Sequence, residues 1–89
     1  MGLKEMENYQ LREVAGTYWL IDMKQNPFQY KKPLEINEVG AFIWQKKVEG
    51  KKDVEIAKAM SDEYGVEVGE LFEDIEGFNR QLKSFGVIL

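Results

Sequence analysis

Sixteen Asp and Glu residues are the main titratable stock of this 89-residue sequence, which contains no His and no Cys. Without Cys there is no thiol nucleophile, no thiolate metal ligand and no disulfide. Without His the commonest general base, the usual zinc ligand and Ser-His-Asp chemistry are all removed. Carboxylate chemistry remains. General acid–base catalysis needs two carboxyl groups held across a cleft, with pKa values pushed apart. The acids here are scattered over the faces of expected helices and show no such spacing. A site built from Asp and Glu alone would need a calcium-loop pattern, and none is present. The sequence therefore predicts a protein that is not an enzyme, with no cofactor and no metal.

Binding is the remaining class of function, and charge narrows the partner. The formal charge is −4 and the pI about 4.9, which repels a phosphate backbone. The last expected helix carries Glu67, Glu70, Glu73, Asp74 and Glu76 against Arg80 and Lys83, and its N-terminal part is purely acidic. That surface is poorly suited to DNA, so no nucleic-acid partner is expected. No apolar run reaches the length of a membrane span, and MGLKEMEN is too polar for a signal peptide. A soluble cytoplasmic protein with no membrane partner is the expectation.

The elements that would carry a binding surface are organised around Pro33–Trp44, PLEINEVGAFIW. Leu34 and Ile36 alternate with Glu35, a short strand with one apolar face. Pro33 argues for an edge strand, because Pro cannot donate to a ladder. Asn37 is a good N-cap, and Glu38 suits the first turn of the helix that follows. Val39, Phe42 and Ile43 fall on one face of that helix; Ala41, Trp44 and Val48 fall on another. A helix apolar on two faces must be buried on two faces.

Before this junction, Tyr9–Val14 alternates as a first strand, and Ala15-Gly16-Thr17 is a tight turn. Thr17–Met23 is the strongest strand of the chain. Trp19, Ile21 and Met23 share one of its faces, which is predicted to be the core face because Asp22 lies on the other. Trp19 and Trp44 are both read as core. Residues 1–8 are expected to fray. In the segment 24–32, Asn26-Pro27 marks a turn, and Phe28 and Tyr30 are expected to fold over the sheet edge. After the junction, helices are predicted over Glu38–Val48, from Asp53 as cap to about Tyr64, and over Gly69–Phe85. The second shows Ile56, Ala57, Met60 and Tyr64 on one face; the third shows Leu71, Ile75, Phe78, Leu82 and Phe85. Phe72 either packs under a neighbouring element or lines an open groove. Val87-Ile88-Leu89 forms an apolar tail. The order strand, strand, strand, helix, helix, helix predicts a single α+β domain over 9–89, with a three-stranded antiparallel sheet packed on three helices.

Five segments in this order, YQLREVAGTYWLID, LEINEVGAFIW, G-x-x-D-V-E-I-A, EYGV and D-I-x-x-F-x-x-x-L-x-x-x-G, resemble the PqqD-like family. These are the small peptide chaperones of pyrroloquinoline quinone biosynthesis and their relatives, the RiPP recognition elements. The most specific piece is Ile36-Asn37 with Gly40-Ala41 and Ile43-Trp44 at this spacing. Two departures stand out: Asp53 replaces the family's usual Thr, and the segment 24–32 is longer and more aromatic. The resemblance implies a winged-helix-like fold without catalysis. It implies that the leader of a ribosomally made precursor peptide adds as a strand beside the third strand, facing the last helix, and is delivered to a modifying enzyme, often a radical SAM maturase. The site residues it implies are Lys31, Lys32, Pro33, Leu34, Glu35 and Ile36 at the edge, with Leu71, Phe72, Ile75 and Asn79 across the groove.

If Pro33 sits with its backbone toward the open edge, Leu34 and Ile36 bond to the second strand and Glu35 faces outward. A bound peptide then pairs around Glu35, with Lys31 and Lys32 meeting acidic residues at one end of it. The alternatives are an adaptor of the same fold that docks to an enzyme without holding a leader, and a winged-helix regulator. An exposed edge strand could also pair with a second copy to give a homodimer.

Overall fold

The computed structural model of the chain describes residues 7–24 and 31–87. The expectations for residues 1–6, for Phe28 and Tyr30, and for Ile88 and Leu89 lie outside the described residues. Three strands, β1 (Tyr9–Val14), β2 (Thr17–Asp22) and β3 (Leu34–Ile36), are followed by three helices, α1 (Glu38–Val48), α2 (Asp53–Tyr64) and α3 (Val68–Phe85). The sheet is antiparallel in the order β1-β2-β3. The architecture is the expected α+β arrangement, with one sheet face on the helices. No described helix is long and apolar enough to cross a membrane.

β1 and β2 form a hairpin closed by Ala15-Gly16, with Val14 opposite Thr17. Both turn residues have positive φ, 52° at Ala15 and 83° at Gly16, the backbone of a type I′ turn. Pairing continues past β1, since the Met23 N–H donates to the Asn8 carbonyl at 2.7 Å.

The face of β2 that packs on the helices is the opposite of the one expected. Leu20 is fully buried, whereas Met23 is 53% exposed and Trp19 is only half-buried. Tyr18 and Leu20 lie opposite Ile36 and Leu34 and share the core face with Tyr9 and Leu11. Trp19 stands on the outer face between Arg12 and Glu35. The expectation fails because Asp22 ends the strand. Its carboxylate is met there by the Lys24 N–H at 2.9 Å and the Lys31 ammonium at 3.0 Å. A charge at the rim can be satisfied without turning the strand over.

α1 starts as its sequence dictates. Asn37 is extended (φ −84°, ψ 177°) and its side chain accepts from the Gly40 N–H at 2.7 Å. Ala41, Ile43 and Trp44 are buried on α1, Ile56, Ala57 and Met60 on α2, and Leu71, Ile75, Phe78 and Leu82 on α3. Gly40 is needed for this packing: a Cβ there would lie 3.0 Å from the Phe78 ring. α2 differs from expectation at its start. Lys52 is the cap residue, its N–H donating to the Glu55 carboxylate at 2.9 Å. Asp53 instead accepts from Lys47 Nζ at 3.0 Å and Asn79 Nδ2 at 3.2 Å, joining the three helices. Tyr64, expected on the apolar face of α2, is 39% exposed and meets Phe42 edge-on. Gly65 and Gly86 end α2 and α3 in the left-handed conformation.

Candidate functional site

β3 pairs with β2 on one side only, so its other edge is open. Which backbone groups face that edge follows from parity. A two-residue turn makes its flanking residues a hydrogen-bonded pair, so Val14 and Thr17, then Arg12 and Trp19, exchange bonds; the Met23–Asn8 bond keeps that parity. Trp19 therefore turns its N–H and C=O to β1, while Tyr18 and Leu20 turn theirs to Ile36 and Leu34. Glu35 between them is left with both groups on the open edge. Consistent with this, the Glu35 carbonyl accepts from Gln81 Nε2 of α3 at 3.4 Å. That bond is long and correspondingly weak.

The open edge runs into a groove of about 280 Å³ between the start of α1 and the middle of α3. Asn37, Val39, Gly40 and Ile43 form one wall; Glu73, Asp74, Gly77, Phe78 and Gln81 form the other. Gly77 is the unusual residue of this set. In a helix interior Gly is about 1 kcal/mol less favourable than Ala. Packing does not demand it, since an added Cβ would meet only Arg80 Nη2 at 3.8 Å. Its effect is to leave the α3 wall without a side chain where the groove needs room.

The residues expected at the site divide into two groups. Lys32 and Glu35 are exposed at the edge, Pro33 is half-buried beside them, and Leu34 and Ile36 belong to the same strand but point into the core. Lys31 is elsewhere. Its ammonium pairs with Asp22, donates to the Phe85 carbonyl at 2.8 Å, and stands over the Phe85 and Tyr9 rings at 4.6 and 5.6 Å. Burial pushes the Asp22 carboxyl up, but the Lys24 N–H and Lys31 outweigh it and hold the group below its ordinary value. Leu71 and Ile75 are core residues, 3% and 1% exposed. Phe72 packs against the core, and Asn79 bonds Asp53. Both lie on the α2-facing flank of α3, about 140–180° round the helix from Gly77 and Gln81. Asn79 Oδ1 is buried there without a partner.

The groove residues absent from the sequence expectation are Asn37, Val39, Gly40, Ile43, Glu73, Asp74, Gly77, Phe78 and Gln81. An apolar stripe identifies the side of a helix that is buried, and the groove uses the flank beside it. Gly77 was the available signal, an uncompensated Gly in a strong helical pattern. Chemically, the groove offers a strand edge, an apolar floor and two carboxylates. Among the described residues no group of three or more His, Cys, Asp or Glu is placed to hold a metal. A second hollow of about 220 Å³ lies across α1, between Tyr18, Phe42 and Tyr64 with Glu38 and Glu63, and it has no strand edge. Burial first, then Glu38, Glu63 and Tyr18, raise the Tyr64 phenol above its ordinary value.

Comparison with known proteins gives a consistent result. The family model for coenzyme PQQ synthesis protein D (PqqD) matches residues 28–88. No curated protein matches significantly. Two solved structures share the fold. One is TbiB1 in complex with the TbiA(beta) leader peptide, 22% identical with a TM-score of 0.71, covering 91% of this chain and 88% of that one. The other is a lasso peptide synthetase B1 complexed with its leader peptide, 22% identical with a TM-score of 0.73, covering 92% and 91%.

Proposed function

We propose that this chain, which belongs to the family of coenzyme PQQ synthesis protein D, is a non-catalytic chaperone for the leader of a ribosomally made precursor peptide. The leader adds as a strand along the open edge of β3, displaces the weak Gln81 contact, and lays alternate side chains into the groove against α3. The chain then presents the precursor to a modifying enzyme. A radical SAM maturase is the candidate class, and the cytoplasm is the compartment this reading requires. The observation that carries it is the pair of outward backbone groups on Glu35, beside a groove whose α3 wall is opened by Gly77. Two structures of the same fold, each with a leader peptide bound, support it.

Amide hydrogen exchange tests this, with and without a synthetic leader taken from the precursor reading frame beside the gene. The leader should protect the Glu35 amide, and Gly77→Leu, which fills the groove, should abolish that protection at unchanged melting temperature. Protection confined to β1 would place the site elsewhere. Protection that tracks protein concentration without peptide would mean that the edge pairs with a second copy.

A further inference from the structure

The two carboxylates on the α3 wall have no partner that accounts for them. Glu73 and Asp74 are exposed, and neither is in an ion pair among the described residues. They lie beyond the first turn of α3, so the helix dipole does not favour them. Their own helix offers no help. The residues one turn on are Gly77 and Phe78, and Glu70 sits four positions before Asp74, a like-charge spacing that is unfavourable. The cation closest to the groove, Arg80, reaches Glu76 at 4.0 Å from the outer rim. Glu73 and Asp74 do share one feature: each is a turn before the gap left by Gly77. Residues three and four apart on a helix are neighbours, about 5–6 Å between Cβ atoms. A side chain passing over Gly77 therefore ends among both carboxylates.

We infer that the segment bound in this groove carries a Lys or Arg whose stem crosses Gly77 and whose cationic head is held by Glu73 and Asp74. The inference rests on the peptide-binding reading above and adds the chemistry of the ligand. The apolar floor of Val39, Ile43 and Phe78 accepts the methylene stem, as long cationic side chains prefer. The like charges along α3 become an asset once a cation lies among them. The segment is thus specified as a strand-forming peptide with a basic residue facing α3, distinct from a purely apolar or an acidic one.

The test uses short synthetic peptides from the adjacent precursor's leader, scanned with Lys, Ala and Glu at each position. Titration calorimetry at low and high salt would be run on the wild type, on Glu73→Gln/Asp74→Asn and on Glu73→Lys/Asp74→Lys. One position should prefer Lys over Ala by about threefold to fivefold, the range of a solvent-accessible ion pair, and the preference should shrink at high salt. The neutral variant should lose it and the lysine variant should reverse it toward Glu. Both sites are exposed, so melting temperatures should hold. If peptides bind and protect Glu35 but no position discriminates Lys from Glu, the inference falls while the peptide-binding reading stands. If no peptide protects Glu35, both fall.

Discussion

Replacing Lys31 by Met keeps the stem and removes the charge, and it separates two roles for this residue. The sequence places Lys31 beside the bound peptide; the structure makes it a staple between the end of β2 and the C-terminal end of α3. Its ammonium reaches the Asp22 carboxylate at 3.0 Å and the Phe85 carbonyl at 2.8 Å, over the Phe85 ring. A hydrogen bond from a charged group contributes about 1.5 kcal/mol or more. The ion pair, with side chains 34% and 14% exposed, adds at most about 1 kcal/mol, and the ring contacts a little under 1 kcal/mol. These terms share one ammonium and overlap, so a net loss of about 2 kcal/mol is expected. For a domain of this size that lowers Tm by roughly 8–16 °C.

The pH dependence gives a second check on the same contact. Asp22 has a depressed carboxyl, so its contribution is present above the unfolded aspartate range and is lost as pH falls through the folded value. The gap between wild type and Lys31→Met should be full at neutral pH and narrow in acid. Thermal melts from neutral to acidic pH measure it, with leader affinity measured alongside. A variant that keeps its Tm at neutral pH but loses the leader would refute the staple and return Lys31 to the binding site.

Trp44→Ala should cost about 3–5 kcal/mol, because a 3%-exposed Trp leaves a large cavity, whereas Trp19→Ala, on the outer sheet face, should cost far less; denaturant melts compare them. Gly40→Ala should destabilise by about 1–3 kcal/mol, since its Cβ would press on the Phe78 ring, and a melting temperature equal to wild type would show that α1 can move away. Tyr64 should titrate above an ordinary tyrosine. Its stabilising contribution is then present below the unfolded value and fades as pH rises through the folded one; ultraviolet titration against Tyr64→Phe reads it.

How far the sequence reaches is visible in the contrast between α1 and β2. The cap at Asn37, the glycine ends of α2 and α3, and the order of elements depend on one residue's hydrogen bonding or backbone freedom, and those are local properties. The face of β2 depended on whether Asp22 could be satisfied at a sheet corner, which needed Lys31 and Lys24 in space. The same distinction governs the site. That Glu35 would be the outward residue of β3 follows from strand parity and Pro33 alone. The opposite wall could not be read that way. Leu71 and Ile75 advertise the buried side of α3, and only the angle at which α3 packs beside β3 selects Gly77 and Gln81 over Phe72 and Asn79.

The shortness of β3 settles where binding energy must come from. A three-residue edge with Glu35 at its centre offers one N–H and one C=O to an added strand. Each such bond is worth about 1 kcal/mol net, and one of them replaces the existing contact with Gln81. About 2 kcal/mol is far from the roughly 8 kcal/mol of micromolar affinity. It is equally too little to hold two copies together edge to edge, and the charge of Glu35 and the Pro33 at the strand's start further discourage that pairing. The backbone edge therefore sets register and direction, while affinity and selectivity rest on side chains entering the groove. That division leaves the edge open in the free protein without making it adhesive. It also makes Gly77, Glu73 and Asp74, rather than β3 itself, the positions where a change of ligand would be encoded.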